Sequence, residues 1–291
     1  MATDSFPPVR RLEPGDLKQC VALSVDRDWS PERSKWSLLL AASEVFGVDA
    51  PDRRGLAGVV VLTRWGQDLA AIGMMLVAAR YGRRGLGRAL MEHVIAEAGE
   101  ATVTLFATDM GRPLYEKLDF QPVRRNVSFV GTFRPDRANA SEPAEPAGLV
   151  RAAAEADLPA ILAVDRAAFG ADRGPILTRL PGFADRISVL TGPEHSIRGY
   201  AAIWRNTPAS TVIGPLVAPD AQAAKQLIAD LAAHAHGTIR LDLDPDRPEL
   251  PAWADKHGLE PVGRTLVMAR GDLPSRGTPD RLFTPISVAL A

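Results

Sequence analysis

A single cysteine, Cys20, stands in 291 residues, and aromatic side chains make up only 6% of the chain. One thiol closes no internal disulfide and builds no cysteine metal cluster, a usage that fits a reducing, cytoplasmic setting. No apolar run reaches the roughly 18 residues of a membrane-spanning helix, and residues 1–11 lack the apolar stretch of a secretory signal. Nor is there an excess of either charge. Thirty-four basic side chains face 35 acidic ones, for a formal charge of −1. That balance argues against general nucleic-acid binding. Neither nucleic acid nor a membrane is expected as a partner, and any anionic ligand must be held by a local site.

What remains has the composition of a globular chain. Hydrophobic residues are 46% of the total, and at about 100–200 residues per domain the length suggests two domains. Arg134 to Gly148 (RPDRANASEPAEPAG) is rich in Pro, Ala and charge, has no apolar periodicity, and reads as a linker, 134–148. The flanking parts, 1–133 and 149–291, repeat one another. Val9-Arg10 and Asp16-Leu17 match Val150-Arg151 and Asp157-Leu158 at a spacing of 141. Leu23, Val25, Asp26 and Arg27 match Leu162, Val164, Asp165 and Arg166 at 139, as Lys117, Pro122 and Val123 match Lys256, Pro261 and Val262. Ile72-Gly73 returns as Ile213-Gly214 at 141. A spacing this constant across about a hundred residues reads as a tandem duplication.

Within the first copy, Val9–Leu12 reads as a short strand and Gly15–Asp26 as an amphipathic helix carrying Leu17, Val21 and Val25. Gly58–Thr63 and Leu69–Ala79 are apolar and partly β-branched, hence strands. Leu86, Leu90, Val94 and Ala98 make the face of a helix over Leu86–Ala98. Thr102–Ala107 reads as a strand, Gly111–Leu118 as a short helix and Val127–Phe133 as a last strand. The second copy has its long helix at Ala221–Ala235 and the next strand at Ile239–Leu243. Strands mixed with helices predict an α/β or α+β layer fold.

The most informative stretch is Leu76–Leu90, LVAARYGRRGLGRAL. A strand ends, a loop with Gly82, Gly85 and Gly87 follows, and a helix begins. Free amides at a helix N-terminus form an anion site, and glycines let backbone approach a phosphate. Arg83, Arg84 and Arg88 add local positive charge. Gly82 and Gly87 have the spacing of a Walker A loop, but Arg88-Ala89 replace its lysine and hydroxyl residue, so a nucleotide hydrolase is not expected. A dinucleotide fingerprint from Gly85 and Gly87, with Asp109 as the ribose acid, lacks its third glycine because position 90 is Leu90. It stays open as a lesser alternative.

A third reading accounts for more residues. The strand and RGLGRAL resemble the acetyl-coenzyme A loop of the GCN5-related N-acetyltransferases, in which Arg or Gln precedes two residues, Gly, one residue, and Gly or Ala. Gly85 and Gly87 take the two small positions, while Gly82 stands where the family usually has Arg or Gln. Arg112 to Phe120 (RPLYEKLDF) resembles the family's second segment, LYxKLGF, with Asp119 in place of the usual glycine. The resemblance covers residues 9–133 well and 149–291 in outline. It implies two tandem domains of this family, each a mixed, mostly antiparallel sheet flanked by helices, and no metal.

The same resemblance assigns roles. Leu76, Val77 and Ala78 would lie along the pantetheine arm of acetyl-CoA, with the Val77 amide donating toward the oxyanion, an interaction worth about 3–4 kcal/mol. Gly82, Arg83, Arg84, Gly85, Leu86, Gly87 and Arg88 would hold the pyrophosphate. Tyr115 takes the place of the general acid, a phenol able to protonate the leaving thiolate. Asp68 and Asp109 are the nearest candidates for a base, and Trp29 and Trp36 for walls of an acceptor pocket. A primary amine of a small molecule or peptide is the expected acceptor, and a homodimer is compatible with such a protein.

The second copy lacks these parts. Opposite the glycine loop it reads Leu216-Val217-Ala218-Pro219-Asp220, with an acid where a phosphate would be held. Ala254 falls opposite Tyr115, next to Trp253. The N-terminal domain is therefore expected to be catalytic and the C-terminal one degenerate. An acetyl-CoA-sensing protein with two inactive halves is the alternative. His234 and His236, with Asp242, Asp244 and Asp246, read as a helix end and a strand face rather than a metal site. Cys20, without a histidine partner in the pattern, reads as an inert thiol.

Overall fold

The computed structural model describes residues 6–135, 148–273 and 277–290. Most of the expected linker, 136–147, lies outside the described residues. Packing divides the described residues into two units: unit 1 holds residues 6–123, 267–273 and 289–290, and unit 2 holds 124–135, 148–266 and 277–288. Among the described residues no helix is long and apolar enough to cross a membrane.

Unit 1 runs from β1 (Arg10–Arg11) through α1 (Leu17–Asp26), α2 (Arg33–Ala42), β2 (Glu44–Asp49), β3 (Leu56–Arg64), β4 (Leu69–Val77), α3 (Leu86–Ala98), β5 (Thr102–Ala107) and α4 (Arg112–Glu116). β1 to β4 pair antiparallel in chain order, and β5 pairs parallel with β4. α2 and β2 are additions to the expected elements; the polar stretch before Trp36 hides the start of α2. Val59, Val60, Val61 and Leu62 of β3 are all fully buried. Such a run, apolar on both faces, marks a strand covered on both sides. α3 lies where the spacing predicts it and buries Leu86, Leu90, Met91, Val94 and Ala98. Its close approach depends on Gly58, where a Cβ would come within 2.7 Å of Leu90 Cδ1.

Unit 2 takes up β6 (Gln121–Gly131) from residue 124 and continues with β7 (Leu149–Ala152), α5 (Leu158–Phe169), α6 (Gly174–Leu177), α7 (Leu180–Phe183), β8 (Arg186–Thr191), β9 (Ile197–Thr207), β10 (Ser210–Val217), α8 (Ala221–Ala232), β11 (Thr238–Leu243), α9 (Glu249–Lys256), β12 (Leu259–Arg270) as far as residue 266, and β13 (Leu282–Thr284). β7 to β10 are antiparallel neighbours, and β10 is parallel to β11. Each unit is thus a mixed, largely antiparallel sheet with helices, the class that the sequence implies.

One strand departs from the expected division. Val127–Phe133 reads as the last strand of the first copy, yet Val127 to Gly131 pair antiparallel with Leu243 to Ile239 of β11. Val127 and Phe129 belong to the core of unit 2. The corresponding stretch of the second copy, from Val267 (267 − 127 = 140), packs in unit 1 as the neighbour of β5. There Thr102 Oγ1 donates to the Asp272 carbonyl at 2.7 Å. The two copies have exchanged their last strands, and linear periodicity carries no sign of such an exchange.

The duplication extends to side chains. Arg10 donates to Asp16 at 2.8 Å while the Glu13 amide donates to the same carboxylate at 2.9 Å. In the second copy Arg151 donates to Asp157 at 2.6 Å and the Ala154 amide at 2.7 Å. The arginine hydrogen bonds hold both carboxylates below their ordinary value of 3.8. A depressed carboxylate stabilises the fold above its unfolded value, and that contribution disappears as pH falls through the folded one. The Asp16→Asn/Asp157→Asn protein should therefore melt below the wild type at pH 7. The gap between their melting temperatures should close as the pH is lowered past 3.8, as followed by circular dichroism.

Candidate active site

β4 and β5 diverge. Their parallel register runs from Leu69 opposite Thr102 to Ile72 opposite Leu105 and stops there, although β4 continues to Val77 and β5 to Ala107. At that point β4 carries a bulge: its register with β3 shifts between Val59 and Val61, and Met74 has a φ of +48°. Beyond the bulge one edge of β4 is left facing away from β3. Antiparallel pairing alternates amides between the two edges. The Ala78 amide donates to the Ala57 carbonyl of β3 at 2.9 Å, so the preceding residue, Val77, directs its amide to the opposite, open edge. The Ala79 amide, next along that edge, donates to Asp26 Oδ2 at 2.7 Å.

The glycine loop follows. Ala79–Tyr81 forms a 3-10 turn that buries Tyr81. Arg80 and Arg84 lie over its ring at 4.8 and 5.7 Å, and Phe6 meets its edge. Arg80 also donates to the Asp52 carboxylate and to the Arg54 carbonyl, which fixes the turn to the β2–β3 hairpin. Gly85 has a φ of +83°, the left-handed conformation that glycine allows at no steric cost, and precedes α3 without a side-chain cap. A Cβ at Gly87 would meet Met75 Cε at 2.8 Å, Val77 Cγ2 at 3.6 Å and Leu114 Cδ2 at 3.8 Å. Gly87 therefore faces the side chains lining the divergence of β4 and β5, and its missing side chain keeps that space open. Arg83, Arg84 and Arg88 are exposed around the loop, with Arg88 turned to Glu92 at 2.7 Å. An uncapped helix start, a glycine facing the groove and surrounding arginines fit a phosphate-bearing ligand.

Tyr115 follows Leu114 in α4. Its ring packs on Gly111 and edge-on to Phe120, and it is 9% exposed. Burial pushes its phenol above the ordinary value of 10. The structure thus brings Gly87 against Val77 and against Leu114 of α4, with Gly85 at the start of the same helix, while the Tyr115 ring packs on Gly111 and Phe120. Asp109 lies exposed just past the end of β5 that opens onto this groove, whereas Asp68 precedes the opposite, paired end of β4. Trp29 presents surface, at 44% exposure. The expectation for Trp36 is corrected: it is fully buried, with Nε1 donating to Ser24 Oγ at 2.8 Å, and has no surface to offer an acceptor.

Unit 2 has the same divergence with other contents. β10 pairs with β11 only from Ser210 to Val212. Beyond it, β13 lies antiparallel on β10, Leu216 opposite Thr284 and Val217 opposite Leu282, and the Ala218 amide donates to the Arg281 carbonyl at 3.0 Å. Asp220 caps α8 by accepting from the Ala223 amide at 2.8 Å. Nothing in the linear pattern announces β13, a strand of three residues far along the chain from β10. A cavity of about 280 Å³ beside it is lined by Leu243, Asp244, Arg247, Glu249 and Phe283. Arg247 spends its donors on the Leu282 and Asp280 carbonyls, and two carboxylates remain, a poor lining for an anion. His234 Nδ1 pairs with the Asp230 carbonyl, and Asp242 with Ser128 and Arg240. Among the described residues no group of three or more His, Cys, Asp or Glu could hold a metal ion.

Comparison with known proteins agrees with this architecture. Two models of one family, the acetyltransferase (GNAT) domain, match residues 42–122 and 161–284. Together they span more than half of the chain, which belongs to this family and carries its domain twice. The uncharacterized N-acetyltransferase YitH of Bacillus subtilis (strain 168) is 31% identical over 189 residues, which span 62% of this chain and 63% of YitH, under two thirds of its length. A candidate acetyltransferase of Pyrococcus horikoshii has the same fold, with a TM-score of 0.79 at 20% identity over 98% of this chain and 95% of its own. A tandem GNAT protein from the clavulanic acid biosynthesis pathway gives 0.63 at 16% identity, over 92% of this chain and 99% of its own. The largely antiparallel sheets set aside the dinucleotide alternative, which needs a doubly wound parallel sheet.

Cys20 is fully buried, and burial pushes its thiol up to about 12. Only the thiolate reacts readily. Iodoacetamide at pH 8 should leave the native protein unlabelled and should modify one thiol per chain in denaturant, as counted by mass spectrometry.

Proposed function

We propose that the protein is an acetyl-CoA-dependent N-acetyltransferase whose catalytic site is the groove of unit 1, acting on a primary amine of a small molecule or peptide. The contrast between equivalent grooves carries this reading. In unit 1 the β4 edge is open and α3 is uncapped; in unit 2 the same edge is paired with β13 and the helix start is filled by Asp220. A strand backbone and a carboxylate stand where a pantetheine arm and a pyrophosphate would otherwise lie. Family membership supports acyl transfer as the chemistry, and the exposed Trp29 suits the acceptor side.

Each residue then has a task. The α3 amides and the flanking arginines hold the pyrophosphate. The open edge of β4 orients the arm, and the Val77 amide donates to the carbonyl oxygen as it gains charge. The amine nitrogen attacks the thioester carbon, and the C–S bond breaks as the C–N bond is completed. Tyr115 gives its proton to the departing sulfur, and the ammonium proton leaves to solvent. Burial raises the Tyr115 phenol above its ordinary value, so at neutral pH it carries its proton, and a fall in rate through loss of that proton should have its midpoint above that ordinary value.

Calorimetry should find one tight acetyl-CoA site per chain. Gly87→Val should weaken it at least about tenfold, because a branched side chain there must push on Met75 and narrow the groove. Unchanged affinity would remove the loop from the site.

Tyr115→Phe keeps the ring and removes the proton. The rate should drop by about 10²–10⁴ with affinity and melting temperature retained. An aryl thioester, whose thiol is already acidic, should recover much of the loss. An equal deficit with both donors would return Tyr115 to a packing role.

A further inference from the structure

We infer that Asp26, at the end of α1, is a positioning residue for the acetyl-CoA groove of unit 1: its carboxylate holds the amide that closes the open edge of β4 and so sets the glycine loop. The inference rests on the function proposed above. Asp26 Oδ2 accepts from the Ala79 amide at 2.7 Å. Ala79 is two residues past Val77, on the same edge by strand alternation, and it begins the turn that leads to Gly82 and Gly85. Fixing this amide fixes the direction of the Val77 amide behind it and of the loop ahead of it. Asp26 also starts the turn in which Asp28 has a φ of +58° and which presents Trp29, so one hydrogen bond links the acceptor side of the groove to the phosphate side.

Two observations point away from a purely structural role. A carboxylate on the last residue of a helix faces the negative end of the dipole, so Asp26 opposes the stability of α1 and needs another reason to be there. The duplication supplies a control: counted from the shared Arg10–Asp16 and Arg151–Asp157 pairs, at a spacing of 141, the residue in the place of Asp26 is Ala167. In unit 2 the Ala218 amide goes to the Arg281 carbonyl beside β13. Asp165, which the same spacing places opposite Ser24, is buried and bonded to Arg173 and Tyr200. Where the groove is filled by the chain itself, the carboxylate is absent; where it is open, the carboxylate holds the amide.

The test compares Asp26→Ala and Asp26→Asn in the full-length protein. In Asp26→Ala the Kd for CoA should rise about three- to tenfold and amide exchange at Ala79 should quicken. KM for the amine should hold, and the melting temperature should stay level or rise. Asp26→Asn keeps an oxygen that accepts the same amide and should bind CoA within about twofold of wild type. Equal or tighter CoA binding by Asp26→Ala would overturn the inference while leaving the proposed function intact, as would equal losses in both variants, which would indicate charge rather than positioning. A wild type that binds no CoA would overturn both.

Discussion

Unit 1 depends on the point where two parallel strands stop sharing hydrogen bonds. Up to Ile72 and Leu105 the edges of β4 and β5 satisfy each other; past that point the Val77 amide must find a partner elsewhere, because an unpaired backbone donor out of reach of water costs about 1–3 kcal/mol. The bulge at Met74 turns β4 away, and the turn at Ala79–Tyr81 with the glycine loop carries the chain into α3. A groove lined by backbone donors suits an extended ligand with its own amides and carbonyls. The groove thus lies where a hydrogen-bond ladder is interrupted.

Unit 2 faces the same constraint and meets it with protein. β13 supplies carbonyls and amides to the end of β10, and Asp220 supplies the acceptor that the start of α8 needs. Two copies of one sequence thus arrive at two different structures at the same orphan positions. The second loop also lacks the glycines and arginines of the first.

Local features were legible in the sequence because they are written in adjacent residues. The α3 face, the strands around it, the glycine loop and the Tyr115 segment all depend on neighbours within about fifteen positions, where periodicity and turn chemistry operate. Trp36 shows the limit of that reading. As a tryptophan just after a polar segment it could equally line a pocket or fill a core, and only the Ser24 hydroxyl, one helix away, decides for the core. Asp26 was visible only as one matched residue of the repeat; its partner Ala79 is 53 positions on. β13 and the exchanged strands were not legible, because their pairing joins segments whose own composition is ordinary.

The exchanged strands bear on how such a chain is made and why it keeps its length. On the ribosome, β5 emerges long before Val267–Arg270, so the sheet of unit 1 waits, with one edge bare, until the second copy has been synthesised. Contacts of such long sequence separation favour slow folding. The arrangement also gives a reason for the persistence of a copy that has shed its motifs. Once each copy completes the other's sheet, neither copy encodes a whole domain, and deleting the second would remove a structural strand from the first.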